Sequence, residues 1–207
     1  MTARIPTIEV TGLYGTVVKT MARRMLGKVP ESIGVLWHHK RVMKDSMGVG
    51  GKIKKWHELD RDLASYAAMA SAATIGCSFC LDLNYFMAHN NGLDEAKVRE
   101  VPRWRDSSVF SPLERRVMEY AEAASQTPPA VTDELSDRLL ADLGPSGLIE
   151  LAARVGFMNM SARMNVALGI HAEQFADACG LAPLPQRAAP SPRTNPVRSG
   201  GADMGSH

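Results

Sequence analysis

Apolar side chains recur along this chain at helical spacing, and no stretch alternates like a half-buried strand bounded by hairpin turns. Val17, Val18, Met21 and Met25 make a stripe within a helix predicted from Leu13 to Leu26. After Pro30, a second helix is predicted from Glu31 to Met47, with Ile33, Leu36, Trp37 and Met43 as its inner face. The glycine- and lysine-rich stretch Gly48 to Lys55 reads as a loop. Asp60 to Ile75 sets Leu63, Tyr66, Ala67, Ala70 and Thr74 on one side of a helix. The next helix starts near Cys77 and runs to Asn90, where Asn91-Gly92 is the stop signal; a short one, Asp94 to Val101, ends at Pro102. Ser111-Pro112-Leu113-Glu114 carries a cap, a proline at the first helical position and a glutamate that can bond back, and this helix runs toward Gln126. Thr132 caps another, which stops at Leu143-Gly144, and Pro145 opens a long apolar helix to Gly169. The predicted fold class is all-α.

Composition narrows the picture further. With 207 residues and 45% hydrophobic content, the chain can bury one sizeable core. From Leu181 onward proline, serine, glycine and arginine replace bulky apolar residues, so that end is expected to be disordered. The formal charge of +2 matches the surplus of Arg187, Arg193 and Arg198 over Asp203 in this tail, and Lys52, Lys54 and Lys55 form only a small basic knot. No nucleic-acid partner is expected from so little clustered charge. The uncharged run Leu63 to Leu81 approaches the length of a membrane span. It is rich in alanine, serine and threonine and broken by Gly76, which fits a tightly packed interior helix better. The first ten residues lack the basic-then-apolar pattern of a signal peptide, and three cysteines are too few for a secreted disulfide scaffold. A reducing, cytoplasmic setting is the expectation.

The chemistry concentrates in Cys77-Ser78-Phe79-Cys80, the one Cys-X-X-Cys of the sequence. Two thiols a helical turn apart can pass between dithiol and disulfide with little backbone movement. A cysteine in the first helical turn also faces unpaired backbone N–H groups, which favour its thiolate. Two small buried hydrophobes would leave the same trace. A zinc site would need two more ligands, and the adjacent His38 and His39 lack helical i, i+4 partners, so no metal and no cofactor is expected.

The run Ile75 to Asn84, followed by Gly92-Leu-Asp-Glu-Ala-Lys-Val98 and then by Phe157-Met-Asn-Met-Ser-Ala-Arg163 through Ile170, resembles the carboxymuconolactone decarboxylase/AhpD-like alkylhydroperoxidase family. The resemblance spans Leu59 to Ile170. It implies an all-helical bundle with the Cys-X-X-Cys at a helix N-terminus, assembled as a homo-oligomer, a trimer or a hexamer. It divides the chain into an N-terminal helical extension (1–58), a core (59–180) and the tail (181–207). It also implies a peroxidatic thiolate at Cys80 and a resolving thiol at Cys77, with a small hydroperoxide as substrate and an external thiol or dithiol as reductant.

The same resemblance exposes a gap. Peroxidase members carry histidine four residues after the second cysteine, where this chain has Asn84. They carry glutamate about 12 residues before the first cysteine, a position that falls on Ser65. Free cysteine has a pKa of ~8.5, so ~3% is thiolate at neutral pH, and lowering it to ~7 gains only ~15-fold. A positioned base is commonly worth ~10²–10⁴. Asp62, one turn before Ser65, and Tyr85 and His89, close in sequence to the pair, are candidate substitutes; His89 lies nine residues past Cys80, and Asp82 beside Cys80 would raise a thiol pKa. A cofactor-free lyase or isomerase acting on a ring acid, with His57 or His89 moving the proton, is the alternative; an oligomeric scaffold without turnover is the non-enzymatic one. Asn159 and Arg163, at i, i+4 in the last apolar helix, either hydrogen-bond across an interface or line a pocket, and Glu150 and Arg154 read as an intrahelical ion pair.

Overall fold

In the computed structural model, which describes residues 3–178, 180, 181 and 184, all regular structure is helical. The helices are α1 (Gly12–Leu26), α2 (Glu31–Leu36), α3 (Lys40–Ile53), α4 (Arg61–Ile75), α5 (Ser78–Asn90), α6 (Glu95–Glu100), α7 (Pro112–Ala124), α8 (Asp133–Leu168) and the short α9 (Phe175–Ala178). Three-ten turns follow α2 at Trp37–His39 and α6 at Val101–Asp106.

Helix α4 is the axis, because alanine and serine at most of its positions let neighbours approach on several sides. Leu63, Ala64, Tyr66, Ala67, Met69, Ala70, Ser71 and Ala72 are all buried. It packs against α5, α7 and α8. Asp60 caps its start, accepting from the N–H groups of Asp62 and Leu63. The main core gathers Tyr66, Met69, Val117, Met118, Leu139 and Leu151, each worth ~1.5–3 kcal/mol when buried. A second cluster surrounds the cysteines, and a third, built on Val10, Val18, Trp37 and Met43, holds the N-terminal helices. The Ser111 capping box forms as predicted, and α8 breaks at Gly144, whose φ of 68° lets the chain turn into Pro145. No helix of the described residues is long and apolar enough to cross a membrane.

The N-terminal third departs from the sequence pattern. The helix predicted over Glu31 to Met47 is interrupted at His39, which leaves helical geometry and takes the N–H of Val42 on its imidazole. Helix α3 then continues to Ile53 through the stretch predicted as a loop. One of its glycines serves packing there: a Cβ at Gly50 would meet the Phe157 ring at 3.3 Å. Helix α1 buries Gly15, Val18 and Ala22, while Val17, Met21 and Met25 of the predicted stripe face outward together with Leu13. At the other end Leu181 is buried and Leu184 packs on the core, so the chain stays engaged past the predicted tail boundary. The remainder of the tail expected to be disordered (181–207), residues 182, 183 and 185–207, and Cys179 lie outside the described residues.

An extended arm before α1 crosses the end of the bundle. The N–H of Arg4 donates to Leu168 O at 2.9 Å, His38 Nε2 bonds Pro6 O at 2.9 Å, and Ile8 N–H donates to Gly34 O at 3.3 Å. Gly169 makes this crossing possible: it sits at φ 68°, and a Cβ on it would lie 3.1 Å from Arg4 Cγ and 3.3 Å from its nitrogen. Gly169→Ala is therefore expected to lower stability by ~1–2 kcal/mol, through positive φ and crowding together. An unfolding midpoint in urea equal to the parent's would contradict this.

Candidate functional site

The site begins at the junction of α4 and α5. Gly76 closes α4 in the left-handed conformation, φ 79° and ψ 27°, and the N–H groups of both Gly76 and Cys77 donate to Ala72 O. Cys77 follows in extended geometry as the N-cap of α5, and its sulfur accepts the Cys80 N–H at 3.2 Å. Cys77 and Cys80 are joined as a disulfide with their Cα atoms 5.3 Å apart. The predicted dithiol spacing is thus realised in its oxidised form.

The two sulfurs are enclosed by apolar side chains. Cys77 is 1% and Cys80 4% exposed, among Val35, Ala72, Phe79, Phe86, Ala162 and Phe175. Phe175 lies 6.1 Å from both the Phe79 and Phe86 rings. The cover comes from two segments remote in sequence. Ala3 and Ile5 of the N-terminal arm lie on one part, and residues 170–176 on the other.

Polar contacts hold that cover in place. The Asp82 carboxylate accepts the N–H groups of Glu173, Phe175 and Ala176 at 3.0, 3.1 and 3.0 Å. Ser78 Oγ accepts the Ala172 N–H at 3.2 Å. Glu173 in turn caps α2, its carboxylate accepting from the N–H groups of Glu31 and Ser32. Burial raises the Glu173 carboxyl above the ordinary glutamate range, against the pull of those two N–H groups and of Lys28.

Among the described residues, one polar side chain reaches a cysteine sulfur: Asn165, 7% exposed on α8, donates from Nδ2 to Cys80 Sγ at 3.4 Å. The predicted supporting residues make other contacts. Asn84 donates to the Cys80 carbonyl at 2.7 Å. Ser65 donates to Arg61 O, and Asp62 sits 3.9 Å from the Arg61 guanidinium. Tyr85 is buried with its hydroxyl 3.5 Å from Glu95, and exposed His89 lies 3.9 Å from the same carboxylate. Exposed His57 faces Glu58 at 3.8 Å. Among the described residues no group of His, Cys, Asp and Glu is placed to hold a metal.

Asn165 was overlooked in the sequence because its motif, Met164-Asn165-Val166, carries no charge. The available signal was a polar side chain inside an apolar helix that had to find a buried partner. Asn159 and Arg163 do bond within the chain, Asn159 to Ser125 Oγ at 2.9 Å and Arg163 to Ser125 O at 2.8 Å, and both line a shallow cavity of about 360 Å³. Glu150 and Arg154 form the expected pair at 2.7 Å. A larger cavity, about 560 Å³, lies beside the disulfide. Gly76 and Ser78, which flank Cys77, form one wall, and Val166, Ile170, Arg4 and His171 complete it with Gly169.

A family model described as carboxymuconolactone decarboxylase family matches residues 41–123. The uncharacterized protein YnjA of Escherichia coli (strain K12) is 38% identical over 142 residues, which is 69% of this chain and 75% of that protein. A cysteine-to-alanine variant of the debrominase Bmp8, in complex with 2,3,4-tribromopyrrole, superimposes with a TM-score of 0.75 at 20% identity, over 86% of this chain and 96% of that one. The alkylhydroperoxidase AhpD core of an uncharacterized peroxidase-related protein from Ralstonia eutropha JMP134 gives 0.71 at 16% identity, over 83% and 94%. These structural likenesses establish a common fold, the all-helical AhpD-like bundle expected from the motifs.

The clasp by Asp82 has a measurable consequence. Hydrogen bonds to a charged group contribute ~1.5–3 kcal/mol each, less where water can replace them. Asp82→Ala is expected to cost ~2–4 kcal/mol in urea unfolding and to speed reduction of the Cys77–Cys80 bond by dithiothreitol. Equal reduction rates in the two proteins would show that residues 170–176 do not control access.

Proposed function

This chain belongs to the carboxymuconolactone decarboxylase family, and on that premise we propose that it is a thiol-dependent oxidoreductase that reduces hydroperoxides through Cys80 and Cys77. The observation that carries the reading is the bond between these two sulfurs with an amide N–H directed at one of them. An N–H donor is a weak partner for a disulfide sulfur and a strong one for a thiolate. Asn165 therefore favours Cys80 as the anion once the pair is reduced.

The Cys80 thiolate attacks the terminal oxygen of the hydroperoxide. The O–O bond breaks, the alkoxide leaves and takes a proton from water, and Cys80 becomes a sulfenic acid. Cys77 then attacks that sulfur and water departs, which restores the disulfide. An external thiol or dithiol returns two electrons. Asn165 and Asn84 can donate hydrogen bonds but cannot accept a proton at neutral pH. Deprotonation falls to solvent, reached when the cover over the sulfurs opens, so turnover is expected to lack the ~10²–10⁴ that a positioned base supplies.

A second reading has support of its own. The sulfurs sit among three aromatic rings, Phe79, Phe86 and Phe175, an environment suited to a flat apolar ring, and the fold is similar to that of the debrominase Bmp8. In this version the Cys80 thiolate takes the halogen from a haloarene, the ring carbon gains a proton from water, and Cys77 displaces halide to close the disulfide. Both readings spend the same dithiol. His57 and His89, the groups named for proton transfer in the lyase alternative, are exposed and face Glu58 and Glu95. For assembly, the outward row Leu13, Val17, Met21 and Met25 on α1 supports a homo-oligomer formed with further copies of this chain.

Three outcomes test the proposal. One equivalent of an alkyl hydroperoxide added to reduced protein should consume both thiols, Cys77→Ser should stop at a sulfenic acid on Cys80, and Cys80→Ser should be inert. Thiols that survive peroxide but are oxidised by a bromopyrrole would favour the second reading. Asn165→Ala should slow the peroxide step about tenfold, the kinetic equivalent of one hydrogen bond to a charged group, with the thiolate absorbance shifted to higher pH. Leu13→Glu should lower the mass in sedimentation; an unchanged mass would remove α1 from the assembly.

A further inference from the structure

The cavity of about 560 Å³ beside the disulfide has no assigned role in the peroxide step above, and among the described residues its one fixed charge is the Arg4 guanidinium. Among the described residues, Arg4 and His171 are the titratable side chains on its wall, and no carboxylate lines it. Two carboxylates of the neighbouring cover are engaged elsewhere, Asp82 with the N–H groups of residues 173, 175 and 176, and Glu173 with the start of α2. We infer that this cavity is the docking site for the reductant, a small thiol bearing a carboxylate, which it presents to Cys77. The inference rests on the thiol-exchange reading, since the bond seen here is the oxidised one, and the reaction partner of a disulfide is a thiolate.

The donors for a carboxylate are in place. Arg4 spends Nη1 on the carbonyls of Val166 and Ala167, and among the described residues its planar fork retains Nε and Nη2. Ser78 Oγ accepts from Ala172 and retains its own O–H. The His171 imidazole offers an N–H in either tautomer. Gly76, immediately before Cys77, opens the near side: nothing lies within 4 Å of where its Cβ would be. The volume falls within the ~300–1,000 Å³ usual for small-molecule pockets. Cys77 itself is 1% exposed, so exchange requires local opening of the apolar cluster that Ile5 and Ile170 share with it.

The step balances as a thiol–disulfide exchange. The incoming thiolate forms a bond to Cys77 Sγ, the Cys77–Cys80 bond breaks, and its electron pair stays on Cys80 Sγ, where the Asn165 N–H meets it. A second thiolate then attacks the sulfur of the bound thiol. The small disulfide leaves, and Cys77 takes up a proton from water.

Reduction of the oxidised full chain by 3-mercaptopropionate, 2-mercaptoethanol and cysteamine, compared at equal thiolate concentration and followed by free-thiol count, tests this. At low ionic strength the acid should react about tenfold faster than the amine, with the neutral thiol between them, and 0.5 M salt, where screening lengths shrink to about 4 Å, should flatten the series. Arg4→Gln and His171→Gln should each reduce the acid-to-amine ratio; Lys44→Gln, on the exposed face of α3, should not. Loosening of the arm by Arg4→Gln would raise all three rates together, so the ratio isolates recognition from access. Equal rates for the three thiols, or a ratio unmoved by both variants, would overturn the docking assignment and leave the exchange chemistry standing. Failure of every thiol to reduce the bond would overturn both.

Discussion

A single left-handed residue sets the geometry on which the site depends. Gly76 turns the chain at the end of α4, so that Ala72 O can collect two N–H groups and Cys77 leaves the turn in extended conformation. Only then does the Cys77 sulfur face the first turn of α5, where the Cys80 N–H meets it and the two sulfurs can join. A β-carbon at that φ is strained whatever space surrounds it, which makes glycine the residue for this position. The disulfide, the reach of Asn165 and the shape of the adjoining cavity all follow from where this turn delivers Cys77.

Around that turn the protein has built an enclosure from distant pieces of chain. Residues 170–176 are held by Asp82 and Ser78 of the same helix that carries Cys80, and the arm is held at the end of α8 by Arg4. A low-dielectric pocket lined by aromatic rings penalises a thiolate, whereas the Asn165 amide compensates locally. On the proposed reading, the anionic sulfur is held by this balance and its protons come from solvent, so that turnover is coupled to local opening of the cover.

Much of the fold could be read from the residues. The spacing of Leu63, Tyr66, Ala67 and Ala70 defined a buried helix, the Ser111 box fixed the start of α7, and Gly144-Pro145 fixed the break in α8. Each of these depends on neighbours within a turn or two, where local sterics and capping decide. The errors fell where remote contacts decide. Gly48 to Ile53 is helical because α8 brings Phe157 against Gly50, and α1 turns its larger side chains outward because Trp37 fits against Gly15.

The same division runs through the site. The sequence by itself determined that two thiols stand one helical turn apart at the start of a helix, and that neither Asn84 nor Ser65 can serve as a base, because spacing and side-chain chemistry are local properties. Tertiary structure alone decided that Asn165, 85 positions away, points at Cys80, that Asp82 serves the cover, and that Ile5 and Phe175 close over the sulfurs. Such pairings depend on how α4, α5 and α8 cross, and that geometry is fixed by the whole core rather than by any segment within it.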